Sequence, residues 1–163
     1  NYVSSHDNLL FPILIGSDLR VLEKLNHTFD GETYSPKPNK KKLSKTAFMY
    51  LNSPYLWGGR TPLGIDCSGF TQIVYKINGV KLSRDAHQQA NQGQTLSFIE
   101  ESEAGDLAFF DDSEGKIVHV GLLLENHCII HAHGTVRIDQ IDQTGIYNGS
   151  AHTHKLRMIK KLI

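Results

Sequence analysis

Two cysteines among 163 residues, Cys67 and Cys128, are too few to staple a fold. Disulfide-built scaffolds are short and cysteine-dense, so both residues are read as free thiols. Excess charge of one sign is also missing, because seventeen Lys and Arg side chains cancel seventeen Asp and Glu. A chain without a bulk field has no general pull toward nucleic acid or an anionic membrane, which leaves a neutral partner or one recognised locally. No apolar run approaches the roughly 18 residues that a membrane span requires, and no internal repeat is visible. The first eight residues are polar and there is no initiating Met. The chain therefore reads as a processed or trimmed piece whose compartment is left open. Its length suits one domain with a small appendage and a real core.

Between Leu9 and Tyr34, short apolar runs (Leu9 to Ile15, Leu19 to Leu25) are broken by Gly16-Ser17-Asp18 and Asn26-His27, a pattern of strands and turns. Ser35-Pro36-Lys37-Pro38 and the lysines after it form a stiff polar connection, placing a boundary near residue 41. Beyond it, Ser44 is expected to cap a helix carrying Ala47, Phe48 and Leu51 on one side, stopped by Pro54. The stretch from Pro54 to Gly64 holds five Gly or Pro residues along with Tyr55 and Trp57, the composition of an irregular loop that lines something. Asp66 then caps the clearest helix, with Phe70, Ile73, Val74 and Ile77 on one stripe and Gly79 just past its end. A shorter helix is expected from Ser83 to about Asn91. From Leu107 onward the apolar runs become strand-like: Leu107 to Phe110, Ile117 to Leu124, Cys128 to Ala132 and Val136 to Ile138. Helices first and an antiparallel meander afterwards predict an α+β fold.

Chemistry concentrates on Cys67. At the first turn of the best helix, the dipole and free backbone N–H groups lower the pKa of a thiol, while neighbouring Asp66 works against them. A cation such as a histidinium would tip the balance. Cys67 is expected at the exposed start of the helix, since the apolar stripe runs elsewhere. The matching base comes from the strands. If Leu124-Glu125-Asn126 is a three-residue hairpin loop with Asn126 left-handed, Leu123 faces His127. His119 then stands directly opposite His131, with Cβ atoms roughly 4.5–5.5 Å apart. That arrangement supplies a base, His119, and a group that orients it, His131. His133 shares a face with His131, as does His152 with His154 if that region is extended. Neither pair is joined by a Cys or carboxylate cluster of zinc spacing, so no metal or cofactor is expected. Cys128 is read as packing, and His6, His27, His87 and His127 as solvated or locally bonded.

Five blocks carry a resemblance: Pro54-Tyr55-Leu56-Trp57-Gly58-Gly59, Asp66-Cys67-Ser68-Gly69-Phe70, Gly105 to Phe110, His119-Val120-Gly121 and Ile130-His131-Ala132. In this order and near this spacing they resemble the NlpC/P60 family of bacterial cell-wall cysteine peptidases, across about three quarters of the chain. The resemblance implies a papain-like fold, N-terminal helices packed on an antiparallel sheet, over residues 42–163. Residues 1–41 resemble part of a bacterial SH3-like domain followed by a linker. It also implies Cys67, His119 and His131 as the catalytic triad, and cleavage between γ-D-glutamate and an L-diamino acid in murein peptides with a free N-terminal L-Ala. Asp66 and Ser68 would hold the ammonium end and the γ-D-glutamate region, Tyr55 would reach the thiol and substrate, and Arg84 and Asp85 would brace the pocket. Ala86 stands where the family often has Ser. The expected partner is a peptidoglycan stem peptide, met by a monomer with no nucleic acid and no membrane span, at the cell envelope or in cytoplasmic recycling. The alternatives are an N-acetylmuramoyl-L-alanine amidase using the same residues and a wall-binding module without turnover.

Overall fold

The computed structural model describes residues 2–163, which form two compact units divided between Pro36 and Lys37. The first unit is a small antiparallel sheet of β1 (Tyr2–Ser4), β2 (Leu10–Pro12) and β3 (Thr28–Phe29), with β1 in the middle. The expected run from Leu9 to Ile15 pairs only as far as Pro12, which has no N–H to continue the ladder. Leu19 to Leu25 is not a strand. It ends in a 3₁₀ turn, Glu23–Leu25, closed by Asn26 at φ +52°.

In the second unit, α1 (Leu43–Phe48) begins one residue before Ser44 and has no side-chain cap. Its buried positions, Leu43, Thr46, Ala47 and Tyr50, follow the i, i+3, i+4, i+7 spacing, whereas Phe48 and Leu51 are exposed. Leu43, missing from the sequence expectation, sets the phase of this helix. The loop after it contains a two-residue ladder, β4 (Arg60–Thr61) with β5 (Gly64–Ile65). Helix α2 (Cys67–Ile77) matches the expectation at both ends. Asp66 accepts from the Gly69 N–H at 2.6 Å. At the other end Gly79, at φ +81°, lets its own N–H reach Lys76 O and that of Val80 reach Tyr75 O. The next helix, α3, is only Ala86–Gln89 and is capped by Asp85 with Gln88. Ser83 cannot start it because its backbone is held by Gln89 and Gln92 side chains.

Seven strands complete the unit: β6 (Gln94–Leu96), β7 (Leu107–Asp111), β8 (Ile117–Leu124), β9 (Cys128–His133), β10 (Thr135–Ile141), β11 (Gly145–Tyr147) and β12 (His152–Lys161). They lie in the order β11-β10-β9-β8-β7-β12-β6, and a further pairing of β11 with β12 closes six of them into a ring. One face of these strands, with Phe109, Val120, Leu122 and Ile130, packs with Phe70 and Val74 of α2. The other face encloses Ala108, Phe110, Leu123, Ile129, Ile141, Ile146 and Ile159. Strand alternation puts His119 and His131 on this second face, beside Leu123 and Ile129.

The β8–β9 register corrects the expectation. Leu124 pairs with Cys128 and Leu123 with Ile129, so the loop is Glu125-Asn126-His127 and His119 is not directly opposite His131. Asn126 is left-handed as expected (φ +58°), but His127 adopts the same conformation (φ +55°) and stays in the turn. The resulting shift is two residues, which preserves the faces.

Candidate active site

Cys67 sits on the first turn of α2, where the backbone N–H groups of Val120, Ser68 and Cys67 itself favour its thiolate. Val120 follows His119 on β8, so the thiol lies against the strand that carries the expected base. The exposed position expected for Cys67 is not observed, since only 7% of its surface is accessible. Burial is correspondingly the largest influence on the thiol, and the negative charge of Asp66 adds to it. Together they outweigh the three N–H groups and push the pKa up, opposite to the expected lowering.

His119 is buried, and its Nε2 lies 2.9 Å from Nδ1 of His131. Gly121 makes this diagonal contact possible. A Cβ there would come within 2.9 Å of the His131 Cβ and 2.6 Å of Ile129 Cδ1, so the absence of a side chain admits the imidazole. Burial first, then the neighbouring imidazoles of His131, His154 and His133, hold His119 well below its ordinary value of 6.5. Both members of the pair therefore favour their uncharged forms at rest.

Three residues of this cluster were missed in the sequence. Asp139 accepts from Nε2 of His131 at 2.9 Å, and Arg137 Nη2 donates to the other Asp139 oxygen at 2.7 Å. Burial opposes ionisation of Asp139, but hydrogen bonds from Arg137 and His131 keep its pKa below the usual value. His131 is fully buried, and that burial outweighs the help of Asp139, so its pKa is lowered. The signal for Asp139 was Gly134, whose φ of +72° turns the chain so tightly that His133 pairs with Thr135 and His131 with Arg137. That turn places Asp139 two residues from His131's ladder partner and on its face. His154, on β12, stacks on His119 with ring centroids 4.2 Å apart, and burial with its imidazole neighbours lowers its pKa to about 4.

The expected substrate residues divide into two groups. Asp66, Ser68 and Arg84 form one network: Arg84 Nη1 donates to Asp66 Oδ1 at 3.0 Å and to Ser68 Oγ at 2.9 Å, and Nη2 to Asp66 Oδ2 at 2.5 Å. Gly58 N–H also donates to Asp66 Oδ2 at 2.8 Å. Burial disfavours the Asp66 charge, yet Arg84 and the two backbone donors hold its pKa down. Tyr55, tied to Gly134 O through its backbone N–H at 2.9 Å, lies close enough to feel Cys67 and Asp66. Its phenol is raised by burial and then by those two groups. Asp85 stands apart, exposed and used as the α3 cap. Among the described residues, no group of His, Cys, Asp and Glu side chains has the geometry to hold a metal ion, and no helix is long and apolar enough to cross a membrane.

The sequence matches the NlpC/P60 family over residues 52–155. A gamma-D-glutamyl-L-lysine dipeptidyl-peptidase of Bacillus cereus is 33% identical over 132 residues, covering 78% of this chain and 39% of that protein. Its namesake in Bacillus subtilis is 40% identical over 98 residues, covering 59% of this chain and 33% of that one. The crystal structure of an NlpC/P60 family protein from Bacillus cereus superposes with a TM-score of 0.67 at 28% identity, over 83% of this chain and 44% of that one. The chain thus spans less than half the length of these relatives. A mixed helix and sheet fold shared with such neighbours is that of the papain-like cysteine peptidase class. This chain belongs to the NlpC/P60 family.

Proposed function

We propose that the chain is a cysteine peptidase that hydrolyses the γ-D-glutamyl-L-diamino acid bond of murein stem peptides carrying a free N-terminal L-Ala. The observation that carries this reading is the Cys67 thiol, buried at the first turn of α2, where the Val120 N–H of β8 favours its thiolate, together with the His119–His131 contact of 2.9 Å on β8 and β9. The names of the Bacillus relatives point to the γ-D-glutamyl bond.

His119 takes the Cys67 proton as the sulfur attacks the γ-glutamyl carbonyl. The base nitrogen is Nδ1, because Nε2 is engaged by His131. The tetrahedral oxyanion is held by backbone N–H at the start of α2, principally that of Cys67, where the helix dipole also favours negative charge. Protonated His119 returns the proton to the leaving amine, and water, activated by the same imidazole, hydrolyses the thioester. Tyr55 and Ser68 contact the substrate, and Arg84 braces the wall around it. Asp66 attracts the substrate ammonium through its charge, although Arg84, Gly58 and Gly69 already occupy its oxygens. Such an enzyme works on wall fragments at the cell envelope.

The test is a panel of L-Ala-γ-D-Glu-L-Lys, the diaminopimelate counterpart, their N-acetylated forms and a muramoyl peptide. Release of L-Ala-D-Glu from the free tripeptides, lost in Cys67→Ser with the circular dichroism spectrum intact, is the expected result. Cleavage only at the sugar-lactyl amide, or no cleavage by a folded protein, overturns the reading.

A further inference from the structure

We propose that Asp139 is a positioning residue that sets the tautomers of both histidines, so that the nitrogen His119 leaves unprotonated is Nδ1. This rests on His119 being the base for Cys67, but the arrangement of protons along the relay is a property of the folded protein whether or not it turns over a substrate.

The argument follows the hydrogen bonds inward from Arg137. An ionised carboxylate only accepts hydrogen bonds, and Arg137 occupies Oδ1 of Asp139 at 2.7 Å, leaving Oδ2 to His131 Nε2 at 2.9 Å. Nε2 of His131 must therefore carry a proton. Because His131 is fully buried and its pKa lowered, the ring is neutral and its Nδ1 is bare. A bare Nδ1 is an acceptor, so Nε2 of His119, 2.9 Å away, must be the donor. His119 is neutral in turn, which leaves its Nδ1 as a lone pair. Each link allows one direction only. The other titratable groups around the pair are His133 on β9, with its ring centroid 6.3 Å from that of His131, and His154 on β12, stacked on His119. Neither is hydrogen-bonded to the two rings, so neither reverses a link.

Asparagine at position 139 would reverse the chain. Arg137 still claims the amide oxygen, so the amide NH₂ faces His131 and donates to Nε2. His131 then protonates at Nδ1, and His119 becomes an acceptor at Nε2 and carries its proton on Nδ1, the nitrogen needed as base. Alanine only removes the constraint. A purely structural role ranks the variants with Asn the milder change, whereas tautomer control ranks Asn as the worse one. In the Ser-His-Asp template the same Asp-to-Asn exchange costs about 10⁴-fold in kcat.

The experiment combines ¹⁵N imidazole chemical shifts with tripeptide kinetics for the wild type, Asp139→Asn, Asp139→Ala and the double variant Arg137→Ala/Asp139→Asn. The wild type should show His119 protonated on Nε2 and Asp139→Asn on Nδ1. The kcat of Asp139→Asn should be about 10²- to 10⁴-fold below wild type and below that of Asp139→Ala, with KM little changed. Removing Arg137 frees the amide to rotate, so the double variant should recover at least tenfold over Asp139→Asn. A wild-type His119 protonated on Nδ1, unchanged shifts in Asp139→Asn, or an Asn variant as active as the Ala variant would overturn the proposal. The wild-type shifts alone test the proton arrangement even if the Asn variant does not fold. A wild type that hydrolyses no peptide would count against the peptidase reading alone.

Discussion

His119 and His131 touch through their ring nitrogens at 2.9 Å although they are not partners on the β8–β9 ladder. The diagonal is bridged because the position opposite His131 is Gly121. That relation yields the first prediction. Gly121→Ala inserts a methyl group against the His131 Cβ and Ile129, an overpacking change worth about 1–3 kcal/mol. The urea midpoint should fall accordingly and kcat should drop at least tenfold, because His131 must move. An alanine variant with wild-type activity would show that the diagonal contact has no part in the chemistry.

A second prediction concerns the charge state of the resting thiol. Burial raises Cys67 above the ordinary 9.0, and burial also holds His119 well below 6.5, so the two do not form a thiolate–imidazolium pair near neutrality. Iodoacetamide alkylation of Cys67 should rise continuously with pH between 6 and about 9, as thiolate forms only on the alkaline side. A plateau of fast alkylation across pH 5–8 would contradict it.

Asp66→Asn is the third. The carboxylate caps α2, pairs with Arg84 and holds the 54–64 loop through Gly58, so neutralising it should cost about 1–3 kcal/mol. If its charge also draws the substrate ammonium, kcat/KM should fall further for free-amine tripeptides than for their N-acetylated forms. Equal losses on the two would assign Asp66 to architecture only.

Acid stability gives the fourth. The folded state keeps His154 neutral down to about pH 4, while the unfolded side chain protonates near 6.5. The unfolded chain binds more protons in that window, so stability is complete above pH 6.5 and is lost as the pH falls toward 4. His119 and His131, also lowered, act in the same direction. Urea midpoints should therefore decline between pH 7.5 and 5, and His154→Phe should decline less. Parallel declines would remove His154 from the linkage.

Much of the fold and the site was legible in the sequence. Asp66 and Gly79 bracket α2 because capping is local chemistry: a carboxylate that reaches the third residue's N–H, and a residue that tolerates positive φ. Strand β8 was readable because its continuous apolar run records burial on both faces. Where the sequence misled, the deciding force was tertiary or conformational. His127 joined Asn126 in the left-handed conformation and moved the register by two. Strand β12 was hard to read because only Ile159 of its ten residues is buried, and its apolar alternation is confined to Leu156 and Met158 among basic residues. His154, read only as a face-mate of His152, was therefore not placed beside His119. Asp139 could have been found by counting forward from Gly134, as the turn after β9 is tighter than any other in the ring.

Closure of the ring by β11 and β12 has a further consequence. The strands bearing His119, His131, Asp139 and His154 have neighbours on both sides, so displacing any one of these residues means tearing a ladder. The segment before α2 is built otherwise: Trp57 and Leu63 stand 85% and 82% exposed on a loop held to the helix start by Gly58 and Asp66. Side chains can be exchanged on that exposed loop while the imidazoles, pinned in the ladders, keep their spacing.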